Sequence, residues 1–215
     1  MHKALIVVDV QNDFCPGGAL AVANGGRVAS HISAWLRSGK ERYELVVATM
    51  DWHPPPGGPA PFSHFAEEPD YTDTWPPHCV QGSHGAQLHP DLSLPDDALI
   101  VRKGENGAAY SGFEGHDVEG TPLAELLRRA GIDTVDVVGL ATDYCVRATA
   151  MDARTQGLSV RVLLRMVAGV APDSARRALD EMQAAGIACL EDTEPQAPVH
   201  RSPGPGTGPA GRCAS

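Results

Sequence analysis

Short apolar runs alternate along the chain with segments of helical periodicity. Six runs predict buried β-strands, at residues 4–10, 45–49, 98–101, 135–140, 160–164 and 187–190. The first, ALIVVDV, is nearly unbroken and rich in β-branched residues, which is typical of a strand buried on both faces of a parallel sheet. Helices are predicted between most of the runs, at 27–38, 122–130, 143–156 and 173–185. This alternation predicts an α/β fold: a doubly wound, mostly parallel sheet with helices on both faces.

Two stretches break the alternation. Residues 52–95 contain many Pro, Gly and His residues without clear periodicity, and a loop of that length inside a compact domain usually serves a function. Residues 194–215 are rich in Pro, Gly and Ser, which predicts a disordered tail. We therefore expect one domain over residues 1–193, with 52–95 as a loop for metal and substrate, followed by the tail.

The charge balance restricts the partners of the chain. It has 17 Lys and Arg residues against 27 Asp and Glu residues, for a net charge of −10 with neutral His. Nucleic acid and anionic membranes require a basic surface, so we expect neither as a partner. No apolar run approaches the roughly 18–20 residues of a membrane helix, and no secretory signal is visible. The odd number of widely spaced cysteines favours free thiols in a reducing compartment, so we expect a cytoplasmic protein.

Candidate catalytic residues lie at or just after the ends of the predicted strands, where open α/β sheets form their binding sites. Asp9 closes the first strand, Lys103 follows the third, and Cys145 opens the helix after the fourth. The positive end of a helix dipole lowers the pKa of a thiol in its first turn. Lys103 and Asp9 could supply the cation and the base that a thiolate nucleophile needs. A buried cysteine, a turn-capping aspartate and a surface lysine are the alternatives for each residue taken alone.

Candidate metal ligands begin at the end of the second predicted strand. Residues i and i+2 of an extended chain point the same way, so Asp51 and His53 can aim at one point. His64 and His78 follow in the long loop. One carboxylate with several imidazoles suits Zn²⁺, Fe²⁺ or Mn²⁺ and argues against Ca²⁺.

Aromatic residues are scarce in this chain, at 5% of the total, so their placement carries information. Phe14, Trp75 and Tyr110 all lie in the loops of the suspected site. They either pack these loops against the sheet or form a flat slot for a planar ring.

Five stretches carry a resemblance to a known family: MHKALIVVDVQNDFCPGGALAV, VVATMDWHP, TWPPHCVQGSHGAQLHP, RKGENGAAYSGFEG and VDVVGLATDYCVRATAMDA. Together they resemble the nicotinamidases (pyrazinamidases), which are isochorismatase-like cysteine hydrolases. The resemblance runs from about residue 3 to residue 192. It implies a six-stranded parallel sheet with helices on both faces. It also implies hydrolysis of nicotinamide to nicotinate and ammonia, with pyrazinamide as a further substrate.

The resemblance also implies roles for individual residues. The catalytic triad would be Asp9, Lys103 and Cys145, and one divalent metal (Zn, Fe or Mn) would be bound by Asp51, His53, His64 and His78. The substrate would contact Phe14, Trp75, Tyr110, Leu140, Ala141 and Tyr144. The Leu140–Ala141 bond matches a cis peptide of the family, which helps to aim the Ala141 and Cys145 amides at the substrate as an oxyanion hole. His53 and His64 are further apart in sequence than is usual in the family, and Tyr144 stands where some relatives carry His.

Two other functions are weighed against this one. Carbamoyl and ureido hydrolases of the same superfamily share the Asp-Lys-Cys set but generally lack the Asp/His metal site, so Asp51-x-His53 with His78 favours a nicotinamidase. A metal- or redox-sensing module could use Cys145 and the histidines, but it would not need the amide-presenting turn GLATDYC. We expect a small aromatic amide as the partner and leave homo-oligomerisation open.

Overall fold

The computed structural model describes residues 1–39, 42–57, 64–71 and 74–191. The predicted tail at 194–215 and the domain boundary at residue 193 lie outside the described residues. The long loop predicted at 52–95 is described except for residues 58–63 and 72–73.

Within these residues the sheet has six parallel strands, as predicted. They are β1 (Lys3–Val8), β2 (Leu45–Asp51), β3 (Leu99–Lys103), β4 (Thr134–Leu140), β5 (Ser159–Ala168) and β6 (Ala188–Leu190). The spatial order is β3-β2-β1-β4-β5-β6, so the chain winds outward from β1 in one direction and then resumes at β4 in the other. The switch point lies between β1 and β4, and such a point forms a crevice at the carboxyl ends of the strands.

Helices cover both faces of the sheet, which confirms the predicted architecture. They are α1 (Gly25–Ser38), α2 (Leu123–Arg129), α3 (Arg147–Thr155) and α4 (Pro172–Ala184). Alternate residues of β1 enter two separate cores. Leu5 and Val7 share a core with Ile32 of α1, whereas Ile6 lies in the core that contains α2, α3 and α4. Among the described residues, no helix combines the length and the apolar character needed to cross a lipid bilayer.

The boundaries of several elements differ from the prediction in ways that concern the site. Asp51 and Lys103 are the last residues of β2 and β3 and face each other in register. The predicted helix at 143–156 begins as a π-helical turn, Thr142–Val146, and becomes α-helical only at Arg147. In that turn the amide of Val146 donates to the carbonyl of Ala141, five residues back, over 3.1 Å. Hydrophobic periodicity does not distinguish this turn from an α-helix.

Candidate active site

The strand order explains why four polar side chains meet. Asp9 directly follows β1, and Asp51 and Lys103 end β2 and β3, the next two strands on one side. Cys145 lies in the π-helical turn after β4, the neighbour of β1 on the other side. The four side chains therefore converge at the switch point, although they are spread over more than half of the chain.

Lys103 lies at the centre of this cluster with only 1% of its surface exposed. Its Nζ is 2.9 Å from Asp9 Oδ2, contacts Asp51 Oδ1, and is 3.6 Å from the sulfur of Cys145. The ammonium also donates to the carbonyl of Ala109 over 3.1 Å. Burial disfavours the charged lysine, but the two carboxylates outweigh it and raise the pKa of Lys103 well above its ordinary value. The lysine is therefore an ammonium ion held between two acids.

The two acids differ in their affinity for a proton. Burial raises the pKa of Asp9, which Lys103 only partly offsets. Burial acts on Asp51 in the same direction, but Lys103 and His53 outweigh it and lower the pKa of Asp51. Asp9 is also fixed in orientation, because the hydroxyl of Thr49 donates to its Oδ1 over 2.7 Å. The cluster thus pairs a permanently ionised carboxylate with one that can accept a proton.

The expectation of a lowered thiol pKa at Cys145 is wrong. Burial raises the pKa of Cys145 well above its ordinary value, and Lys103 offsets this only in part. The residue lies in the π-helical turn rather than in the first turn of α3, and it is only 7% exposed. The thiol therefore keeps its proton until a base removes it.

The predicted metal ligands also lie together. His53, His64 and His78 each place a ring nitrogen within 4.8 Å of the other two. Asp51 Oδ2 lies 3.6 Å from His53 Nε2 and 3.9 Å from His78 Nε2. His64 belongs to this group despite the long spacing from His53.

The hydrogen bonds around these imidazoles suit a transition metal. His53 Nδ1 lies 3.0 Å from the carbonyl of Gly104, and His78 Nδ1 lies 2.8 Å from that of Pro76. Because a carbonyl can only accept, each Nδ1 carries the proton and each Nε2 keeps its lone pair. His53 Nε2 and both ring nitrogens of His64 are buried without a hydrogen-bond partner.

Orphaned buried nitrogens of this kind are costly unless a ligand binds them. Burial also lowers the pKa of His64 to about 4, with His53 and His78 adding to the effect. The ring of His64 is therefore neutral at physiological pH, as metal ligation requires. The residues present fit a divalent transition metal.

Sequence reasoning missed one residue of this cluster. The ring of Phe65 packs against all three imidazoles, with centroid distances of 5.4 Å to His53, 5.7 Å to His64 and 5.3 Å to His78. It supplies an apolar backing that holds the rings in place. Its only signal in the sequence is its position next to His64.

A cavity of about 350 Å³ opens beside Cys145. All six residues predicted to contact substrate line it: Phe14, Trp75, Tyr110, Leu140, Ala141 and Tyr144. Asp51, His64 and His78 reach the same cavity from the metal-ligand group. Residues of the lining that sequence reasoning did not name are Leu20, Ala21, Val22, Tyr71, Ala109 and Val170.

Three aromatic residues form one wall of this cavity. Trp75 Nε1 donates to the hydroxyl of Tyr110 over 3.1 Å. The ring of Tyr144 lies perpendicular to Trp75 at 5.4 Å and nearly parallel to Tyr110 at 6.1 Å. Such a wall offers flat apolar surface to a planar ring. The Leu140–Ala141 peptide at the base of the cavity is cis, as the resemblance implies.

Comparison with known proteins agrees with this geometry. A family profile described as "Isochorismatase domain" matches residues 3–194. The chain is 51% identical over 185 residues to a nicotinamidase/pyrazinamidase of Mycobacterium tuberculosis, and the match covers 86% of this chain and 96% of that protein. A pyrazinamidase of Pyrococcus horikoshii in complex with zinc has a TM-score of 0.75 and 42% identity, over 88% of this chain and 99% of that one. An L. infantum protein in complex with nicotinate has a TM-score of 0.73 and 37% identity, over 88% and 92% of the two chains.

Proposed function

The chain belongs to the isochorismatase domain family, and from this premise we propose that it is a nicotinamidase that hydrolyses nicotinamide to nicotinate and ammonia. One observation carries the proposal. Buried Lys103 lies 2.9 Å from an acid and 3.6 Å from a cysteine sulfur, at the base of a cavity with an aromatic wall. The names of the similar proteins supply the substrate class, and pyrazinamide follows as a second substrate.

The first half of the reaction uses the triad. Asp9 takes the proton of Cys145, because its raised pKa makes it a competent base. The Lys103 ammonium stabilises the negative charge left on the sulfur. The sulfur then forms a bond to the amide carbonyl carbon as the C=O π bond opens and charge moves to the oxygen. The backbone amides of Ala141 and Cys145 stabilise the oxyanion, a contribution of about 3–4 kcal/mol per donor.

The second half releases both products. Asp9 returns its proton to the amide nitrogen, so that the C–N bond breaks and ammonia leaves rather than an amide anion. Asp9 then deprotonates a water molecule that attacks the thioester. The C–S bond breaks, Asp9 gives the proton it took from water to the sulfur, and nicotinic acid leaves and loses its own proton to solvent as nicotinate.

A divalent metal would be held by Asp51, His53, His64 and His78. When bound, it supplies a Lewis acid for an aromatic nitrogen at the edge of the cavity. The zinc complex of the similar Pyrococcus horikoshii protein supports zinc, and the donor set also accommodates iron or manganese. A ureido or carbamoyl substrate would need neither this donor set nor the aromatic wall.

The proposal is tested with purified protein that is metal-loaded and kept reduced. It is incubated separately with nicotinamide, pyrazinamide and a ureido compound, and released ammonia is measured. We expect ammonia from the two aromatic amides and none from the ureido compound. The absence of ammonia from nicotinamide would contradict the proposal, and preferential ureido hydrolysis would support the alternative.

A further inference from the structure

The segment after the catalytic aspartate contains a polar side chain that the reaction does not use. Gln11 lies two residues after Asp9, is fully buried, and does not line the cavity. A buried amide is costly unless its donors and acceptor are satisfied. Its hydrogen bonds therefore indicate what this residue does.

The amide of Gln11 holds the backbone of a proposed metal ligand from both sides. Its Oε1 accepts from the amide N–H of Asp51 over 2.8 Å, and its Nε2 donates to the carbonyl of Asp51 over 2.8 Å. The same Nε2 donates to the carbonyl of Ala86 over 2.9 Å. One side chain thus joins the end of β1, the end of β2 and the loop that follows His78.

Asp13 makes an equivalent contact next to a second proposed ligand. Its Oδ2 accepts from the backbone N–H of Cys79 over 2.7 Å, directly after His78. The backbone passes so close to this carboxylate at Gly85 that a Cβ atom there would lie 2.0 Å from Asp13 Oδ2. A side chain at Gly85 would therefore displace the Asp13 carboxylate from its present position.

We propose that Gln11 and Asp13 are positioning residues that pre-organise the metal site, although neither belongs to its donor set. Asp51 and His78 come from separate segments. Gln11 holds Asp51 through the N–H and carbonyl groups of Asp51 itself, and Asp13 holds His78 through the N–H of the next residue, Cys79. Changes to groups that orient metal ligands typically lower metal affinity 10- to 100-fold. The inference rests on the metal set of the proposed function and extends it to residues outside that set.

Zinc affinity of metal-stripped protein, measured by competition with a chromophoric chelator, tests the inference without any substrate. Gln11→Met keeps the length of the side chain and removes all three hydrogen bonds. We expect it to weaken zinc binding about 10-fold. Ser33→Ala is the matched control, because buried Ser33 also bonds two backbone groups, at Asp91 and Ser93, both over 2.7 Å. We expect Ser33→Ala to lower stability but leave the zinc Kd unchanged.

A folded Gln11→Met protein with a zinc Kd within about twofold of wild type would overturn the inference. If that variant does not fold, Asp13→Ala serves instead, with Asp117→Ala as its control. Asp117 accepts from the backbone N–H groups of Glu119 and Thr121 over 2.9 and 2.8 Å, in another loop. Wild-type protein that binds no zinc, iron or manganese would instead contradict the proposed metal set, and the inference with it.

Discussion

Among the described residues, two ionic clusters lie near opposite ends of the sheet strands, and they differ in how completely their charged groups are paired. Towards the amino ends of β4 and β5, fully buried Asp136 faces Arg161 across the sheet. Arg161 donates to both carboxylate oxygens over 2.5 Å, and the hydroxyl of Tyr43 donates to Asp136 over 2.7 Å. Trp35 donates in turn to Tyr43 over 3.0 Å. Among the residues that the structure describes, one anion here meets one cation, and both carboxylate oxygens accept hydrogen bonds.

The cluster at the carboxyl ends is unbalanced by comparison. In the described part of the chain, one ammonium, that of Lys103, faces the carboxylates of Asp9 and Asp51 as well as a thiol. Nearby, buried nitrogens of His53 and His64 lack hydrogen-bond partners. A satisfied cluster contributes to the fold, whereas an unsatisfied one can bind a ligand or move a proton. Incomplete pairing, rather than buried charge itself, therefore marks the site of chemistry.

The largest expected effect is the loss of the nucleophile. Cys145→Ala should lower kcat at least about 10⁴-fold, since Cys145 supplies the one thiol among the described residues that line the cavity. Zinc affinity should stay near the wild-type value, because the sulfur is not part of the proposed donor set. Ammonia release and chelator competition measure the two quantities. Cys189→Ala, at a half-buried thiol in β6, is the control and should leave both unchanged.

In the cluster around Lys103, Asp9→Asn should lower activity without lowering the stability of the fold. We expect kcat to fall about 10²–10⁴-fold, because the amide cannot act as the base. Burial raises the pKa of Asp9 in the folded state. Ionised Asp9 therefore costs the native state free energy at neutral pH, above its unfolded pKa. The variant should unfold at the same urea concentration as wild type or a higher one. A clearly lower urea midpoint would show that ionised Asp9 stabilises the fold, against the difference drawn between the two clusters.

In the cluster of Asp136 and Arg161, Asp136→Asn should lower the stability of the fold and leave kcat nearly unchanged. The change removes the carboxylate that accepts two hydrogen bonds from Arg161 and should lower the free energy of unfolding by about 3 kcal/mol. The kcat of the folded protein should remain within about twofold of wild type, because Asp136 is remote from Cys145. Urea unfolding and ammonia release check the two parts. A large loss of kcat without a loss of stability would contradict the claim that Asp136 serves the fold rather than the reaction.

The smallest effect is expected at Tyr43, which hydrogen-bonds to Asp136. Tyr43→Phe removes one hydrogen bond to Asp136 and the acceptor of Trp35, while it keeps the ring in place. We expect a loss of about 1 kcal/mol in the free energy of unfolding and no change in kcat. Thermal unfolding and steady-state kinetics measure these effects. A change in KM for nicotinamide would show that the balanced cluster also influences the cavity.

Sequence reasoning predicted much of the fold because buried parallel strands have a strong signature in the order of their residues. It also placed Asp9, Lys103 and Cys145 near one another, since the carboxyl ends of parallel strands share one edge whatever the details of packing. The individual roles of the site residues came from the family resemblance and stay predictions.

Other features of the site depend on register and packing, which one sequence does not encode locally. The pairing of Asp51 with Lys103 requires the alignment of β2 and β3. The raised pKa of Cys145 requires its burial, and the contact of Phe65 with the imidazoles requires the folded loop. None of these leaves a periodic pattern in the chain.

The central claim is that Cys145 forms a thioester with the nicotinoyl group, and trapping by hydroxylamine tests it most directly. The protein is supplied separately with nicotinamide and with an ester of nicotinic acid, each in the presence of hydroxylamine, and the ratio of hydroxamate to nicotinate is measured. A shared acyl-enzyme predicts the same ratio from both substrates, because the leaving group has departed before the trap reacts. Ratios that differ between the two substrates, or turnover of nicotinamide without any hydroxamate, would contradict the account.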